Sequence, residues 1–153
     1  MQHVLSYVMI AVFGLLFVGT DPLLAAGTED TATDTETGAA TYATAKAAVD
    51  AKDYATALPI LAKLTADEPE NADAWNLFGF SNRKLGNMDE AAMAYETALK
   101  INPGHLGALE YQGEMYVELG KLDMAKANLE ALKGLCGDCE QYEDLENALG
   151  AAS

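Results

Sequence analysis

Apolar residues between Asp73 and Pro103 recur at helical spacing in two successive runs. Asp73-Ala74-Trp75-Asn76-Leu77-Phe78-Gly79-Phe80 opens the first run, and Gly86-Asn87 breaks it. Asp89 is placed to cap a second helix whose inner side carries Ala91, Ala92, Tyr95, Ala98 and Leu99, and Asn102-Pro103 ends that helix. The plan then recurs. Tyr111, Tyr116 and Leu119 precede a break at Gly120, Asp123 stands at the cap, and Ala125, Leu129 and Leu132 follow. The pattern predicts helical hairpins and an all-α fold.

The two hairpins are one motif repeated. Sliding the chain by 34 residues sets Trp75, Gly79, Gly86, Ala91, Tyr95, Ala98 and Pro103 on Leu109, Gly113, Gly120, Ala125, Leu129, Leu132 and Gly137. In the other direction the series meets Ala45, Ala57, Leu61, Leu64 and Pro69. This divides the chain into repeats at 38–71, 72–105 and 106–139. Glycine stands where two helices cross closely, alanine keeps the partner helix near, and Trp75, Tyr95, Leu129 and Leu132 fill the wider gaps. A lone hairpin cannot bury its apolar side, so such units stack into a solenoid. Residues 140–150 read as a closing helix with Tyr142, Leu145 and Leu149 on one face, Asp138 as cap and Gln141 returning the bond. The expected architecture is an α-solenoid of three hairpins plus a C-terminal capping helix.

The period and these residues resemble the tetratricopeptide repeat (TPR) family over 38–139. The second repeat carries the most specific match: Trp75, Gly79, Ala91, Tyr95, Ala98 and Pro103. The third has Gly137 for the closing proline. The first has Thr41 in place of a bulky residue, Lys52 for the turn glycine, and Pro59 inside its second helix, where it is expected to kink the helix.

The resemblance implies a protein-binding module whose first helices line a concave groove. The groove-facing positions it implies are Tyr42, Lys46, Asn76, Phe80, Arg83, Lys84, Glu110, Glu114 and Glu118. Lys46, Arg83 and Lys84 form a basic stretch, Glu110, Glu114 and Glu118 an acidic one, and Phe80 lies between. A bound peptide or protein segment would set its acidic end or terminal carboxylate against the basic trio. Some family members clamp a carboxylate with Asn, Lys and Arg on these helices, and Asn76 and Arg83 match that arrangement in part. The competing reading of each position is a solvated helix face.

Val4 to Val18 is an uncharged run of about 15 residues, followed by Asp21-Pro22 and then Leu23-Leu24-Ala25-Ala26-Gly27. A membrane span needs about 20 apolar residues, whereas this length suits a signal peptide, residues 1–26, cleaved near Ala26 or Gly27. Met1-Gln2-His3 lacks Lys and Arg, so an uncleaved anchor over residues 4–20 is the alternative, and the sole route to membrane contact. Both readings place the repeats outside the cytoplasm, in the periplasm or secreted, as in an exported bacterial protein. Residues 27–37 hold no large apolar side chain and read as a disordered acidic, Thr-rich linker.

The 153-residue chain has 9 Lys and Arg against 24 Asp and Glu, a formal net charge of −15. Such acidity argues against nucleic acid and anionic lipid as partners. Catalysis lacks actors: the sequence shows no Ser-His-Asp set, no Gly-rich phosphate loop and no helical His pair for metal. No cofactor, metal or small-molecule substrate is expected. Cys136-Gly137-Asp138-Cys139 holds both cysteines of the chain. A disulfide stapling the third hairpin to the end helix is the leading reading. A redox pair at a helix start is the second, and metal binding the third, short of two ligands. Glu140 in place of His after the second cysteine disfavours covalent haem. The sequence thus reads as a non-catalytic envelope scaffold, an adaptor or assembly factor. Thiol-redox or redox-dependent assembly is the alternative, and self-association through the end helix is a third reading.

Overall fold

The computed structural model describes residues 41–152, and the expected signal peptide and linker lie outside them. Seven helices and no strand are present among the described residues. They are α1 (41–50), α2 (Tyr54–Asp67), α3 (Ala72–Lys84), α4 (Met88–Ile101), α5 (Leu106–Glu118), α6 (Leu122–Cys136) and α7 (Glu140–Ala151). From α2 onward each helix packs on the next, while α3 also touches α5 and α5 touches α7. Odd-numbered helices therefore form one layer and even-numbered helices the other, as stacked hairpins require.

The 34-residue period is written into the backbone bonds of the turns. The N–H groups of Asp53, Asn87 and Lys121 donate to the carbonyls of Ala48, Asn82 and Tyr116 at 2.9, 2.9 and 2.8 Å. Each bond spans five residues and closes a Schellman-type helix end. The residue before each donor has a positive φ: Gly86 at 84°, Gly120 at 69°, and Lys52 at 60° in the first hairpin. Lys52 thus occupies a backbone conformation that suits glycine.

The helix starts repeat as well. Asn71, His105 and Cys139 are the N-cap residues of α3, α5 and α7, again 34 apart. Asn71 Oδ1 accepts from the Ala74 N–H at 3.0 Å, and His105 Nδ1 accepts from the Ala108 N–H at 3.1 Å. The expected caps Asp89 and Asp123 are displaced. Asn87 and Lys121 hold those positions, without side-chain cap bonds, and the two acids lie in the first helical turn. The reversal closes so tightly that the helix begins directly after the left-handed residue. The acids then act on the helix dipole instead. Asp138 likewise yields its expected cap position to Cys139. Pro59 sits exposed inside α2, which continues through it to Asp67.

Close packing follows residue size. A Cβ added at Gly79 would lie 2.8 Å from the Tyr95 ring, and one at Gly113 would lie 2.4 Å from Leu145 Cδ2. Tyr95, Leu132 and Leu145 are fully buried in a core shared by α4, α5, α6 and α7. Ala45, Val49, Ala57 and Leu61 form a second cluster that joins α1 and α2 to α3. Trp75 is half-buried, and its Nε1–H donates to the Pro69 carbonyl at 2.9 Å.

Candidate functional site

A groove of about 320 Å³ runs along the odd-numbered layer. Lys46, Val49 and Asp50 come from α1, Tyr54 from the start of α2, and Asn76, Leu77 and Phe80 from α3. Gly107, Glu110 and Tyr111 come from α5 and Gln141 from α7, with Lys52 at the rim. Of the nine positions expected from sequence, Lys46, Asn76, Phe80 and Glu110 line this cavity. Tyr42 is half-buried on α1, and its phenol is pushed up by burial and by Asp73 and Asp50.

Arg83 is not a free basic group. Its side chain is only 2% exposed; Nη1 donates to Glu118 Oε1 at 2.9 Å and Nη2 to Glu114 Oε2. The guanidinium also packs 5.7 Å from the Phe80 ring centroid and 5.9 Å from that of Tyr111. One member of the basic stretch, Arg83, is thus neutralised by two of the acidic stretch, Glu114 and Glu118, across the α3–α5 seam. Lys46 pairs with Asp50 at 2.8 Å on the exposed rim, and Lys84 stands 5.0 Å above Phe80. Beneath Arg83 lies the fully buried Tyr95, its phenol pushed up chiefly by burial. Its hydroxyl lies beside the guanidinium, yet neither that oxygen nor Arg83 Nε reaches hydrogen-bond geometry.

The acceptors of the groove are otherwise. Asn76 is 8% exposed, and its Oδ1 has no hydrogen-bond partner among the described residues. Glu110 is 5% exposed, and burial pushes its carboxyl up to about 8. Glu114, Asp144 and Glu140 raise it further, while Arg83 opposes them. Aromatic rings form the wall: Phe80 and Tyr111 have centroids 4.6 Å apart, and Tyr54 meets Phe80 edge-on at 5.9 Å.

Sequence reasoning passed over Tyr54, Tyr111 and Gln141. A signal for the last existed. Continuing the period puts Gln141 in register with Gly107, Asp144 with Glu110 and Leu145 with Tyr111. The closing helix is thus a fourth first helix, and it extends the groove rather than merely covering the core.

His105 serves structure: besides capping α5, its Nε2 lies 2.9 Å from Asp73 Oδ1 and ties α5 to α3. No group of three His, Cys, Asp or Glu side chains among the described residues could hold a metal ion. Cys136 and Cys139 stand with Cα atoms 5.7 Å apart, inside the disulfide range.

With hairpins, turns and groove in place, comparison with known proteins becomes specific. A family model described as Tetratricopeptide repeat matches residues 42–105 and 81–135, together more than half of the chain. The chain belongs to the tetratricopeptide repeat family. TPR proteins generally mediate protein–protein interactions. Among solved structures, the Arabidopsis OM64 TPR domain superposes with a TM-score of 0.71 at 16% identity, covering 78% of this chain and 99% of that one. The first TPR of Spaghetti (RPAP3), bound to an HSP90 peptide, gives 0.67 at 17% identity over 74% of this chain and 91% of that one. The Yersinia enterocolitica type III secretion translocator chaperone SycD gives 0.67 at 16% identity over 76% and 89%. At such identities the likeness is one of fold. No curated protein sequence matches the chain.

Proposed function

We propose that this TPR protein is a non-catalytic scaffold of the cell envelope that holds a polypeptide segment in its concave groove, as an adaptor or assembly factor. The observation that carries this reading is the groove itself. It is walled by Tyr54, Phe80 and Tyr111, holds the buried Glu110 carboxyl, and offers Asn76 Oδ1 as a buried acceptor with no hydrogen-bond partner among the described residues. A buried polar atom left unpaired is costly, and a ligand donor removes the cost. Two structural relatives, one bound to an HSP90 peptide and one a secretion translocator chaperone, support the same class of role.

The envelope location rests on the uncharged run Val4–Val18 and the small residues before Gly27. The Cys136–Cys139 pair fits a disulfide at the corner between α6 and α7, which belongs in an oxidising compartment. Panning a random nonapeptide library on the protein tests the binding role. Groove-bound peptides are expected, released by Phe80→Ala and untouched by Met93→Ala on α4. Cell fractionation with intact-mass measurement tests the location: loss of about 26 residues from an extracytoplasmic fraction is expected.

A further inference from the structure

The groove presents a buried carboxyl and an unpartnered amide oxygen at the end where α3, α5 and α7 meet. Glu110 and Asn76 are more than nine-tenths buried, and the Oδ1 of Asn76 has no hydrogen-bond partner among the described residues. Glu114 from the same helix and Glu140 and Asp144 from α7 add negative field at Glu110. Of the nearby cations, Arg83 is committed to Glu114 and Glu118 and Lys46 to Asp50, while Lys52 stands at the rim and Lys84 above the Phe80 ring. The wall beside Glu110 is the paired rings of Phe80 and Tyr111, 4.6 Å apart, whose faces attract positive charge. Gly107 keeps this corner open: a Cβ there would lie 3.1 Å from Asn76 Nδ2.

We infer that this corner is a pocket for a cationic side chain, Lys or Arg, of the bound polypeptide. The inference rests on the groove-binding reading and specifies its partner. On binding, Glu110 gives up to solvent the proton that burial holds on it, the ammonium or guanidinium donates to the resulting carboxylate and to Asn76 Oδ1, and the aliphatic stem lies along Phe80 and Tyr111. A carboxylate is rejected at the same place, because Glu114, Glu140 and Asp144 set a negative field there in a weakly solvated cavity. The acidic peptide end expected from the sequence loses its principal partner, since Arg83 is already bidentate to two glutamates.

The test is an NMR titration of the 15N-labelled full chain with four small probes: the N-acetyl N-methylamides of lysine, arginine, norleucine and glutamate. The lysine and arginine probes are expected to shift the amides of Gly107, Glu110 and Tyr111 and the side-chain amide of Asn76, saturably. Norleucine and glutamate probes leave them in place. Glu110→Gln weakens the cationic probes by about tenfold or more, the value of a charge-assisted hydrogen bond. Asn76→Ala gives a smaller loss and keeps the test open should the first variant misfold. Equal shifts with norleucine, stronger shifts with glutamate, or no localised shift overturn the inference. Library peptides that occupy the groove with no basic residue at a fixed position also overturn it, and leave the scaffold reading standing. Cationic probes that bind while no peptide does would leave the pocket and remove the scaffold.

Discussion

Arg83 and Glu118 lie 35 residues apart in the chain and 2.9 Å apart in space, and the Glu114 carboxylate closes the other side of the same guanidinium. One buried cation holds together two acids of the next repeat, directly beside the groove.

Arg83→Ala leaves Glu110, Glu114 and Glu118 facing one another without their counter-charge. The expected loss is about 1–3 kcal/mol of unfolding free energy, below that of a fully buried pair because the Glu114 and Glu118 side chains keep 25% and 46% exposure. Arg83→Met combined with Glu114→Gln and Glu118→Gln is expected to recover most of it. Urea denaturation monitored by circular dichroism checks both.

The Glu110 carboxyl sets a pH dependence of stability. Its folded value of about 8 exceeds the ordinary glutamate value of 4.5, so the folded state holds the proton more tightly. Stability is greatest below about pH 4.5, falls as pH rises from there to about 8, and levels beyond. At roughly 1.4 kcal/mol per pKa unit the full shift gives an upper bound near 5 kcal/mol, which solvent in the groove reduces to about 1–3. Glu110→Gln is expected to remove this component and to exceed the wild type in stability at pH 9. Paired urea titrations at pH 5, 7 and 9 measure it.

Lys52 at φ 60° does what Gly86 and Gly120 do in the later hairpins. A non-glycine residue pays about 1–2 kcal/mol in this conformation, part of which glycine returns as unfolded-state entropy. Lys52→Gly is expected to stabilise by about 0.5–1 kcal/mol, and Gly86→Ala to destabilise by about 1. The readout is a shifted urea midpoint at unchanged slope.

Gly79 and Gly113 admit no side chain, for different neighbours. At Gly79 a Cβ meets the rigid Tyr95 ring, and at Gly113 the ends of Leu145 on α7. Gly79→Ala is expected to cost about 1–3 kcal/mol by overpacking. Gly113→Ala costs less, because a leucine can turn aside, and the strain falls on the docking of α7. Hydrogen exchange should show α7 amides losing protection in the second variant alone.

How much of this was legible in the sequence follows from what period 34 encodes. Repeated residue sizes gave the hairpins, the stacking and the glycine crossings, because helix packing depends on volume at fixed register. Lys52 was visible as a departure from the turn glycine, and the backbone confirms the conformational demand. The caps were less legible. Asp89 and Asp123 look like capping residues, yet the Schellman bonds of Asn87 and Lys121 start each helix earlier. The fate of Arg83 could not be read at all from one repeat, since its partners sit one repeat later on a different helix. Asp144 was readable in principle. It stands one period after Glu110 and adds its negative field there from α7.

The most direct measurement of the central claim is position-specific photo-crosslinking in living cells. A photoreactive residue replaces Lys46 on the groove rim in one strain and Met93 on the exposed face of α4 in another. A discrete polypeptide adduct at Lys46, absent at Met93 and diminished by Glu110→Gln, is the expected result. Adducts of equal yield at both positions, or at Met93 alone, would contradict the account.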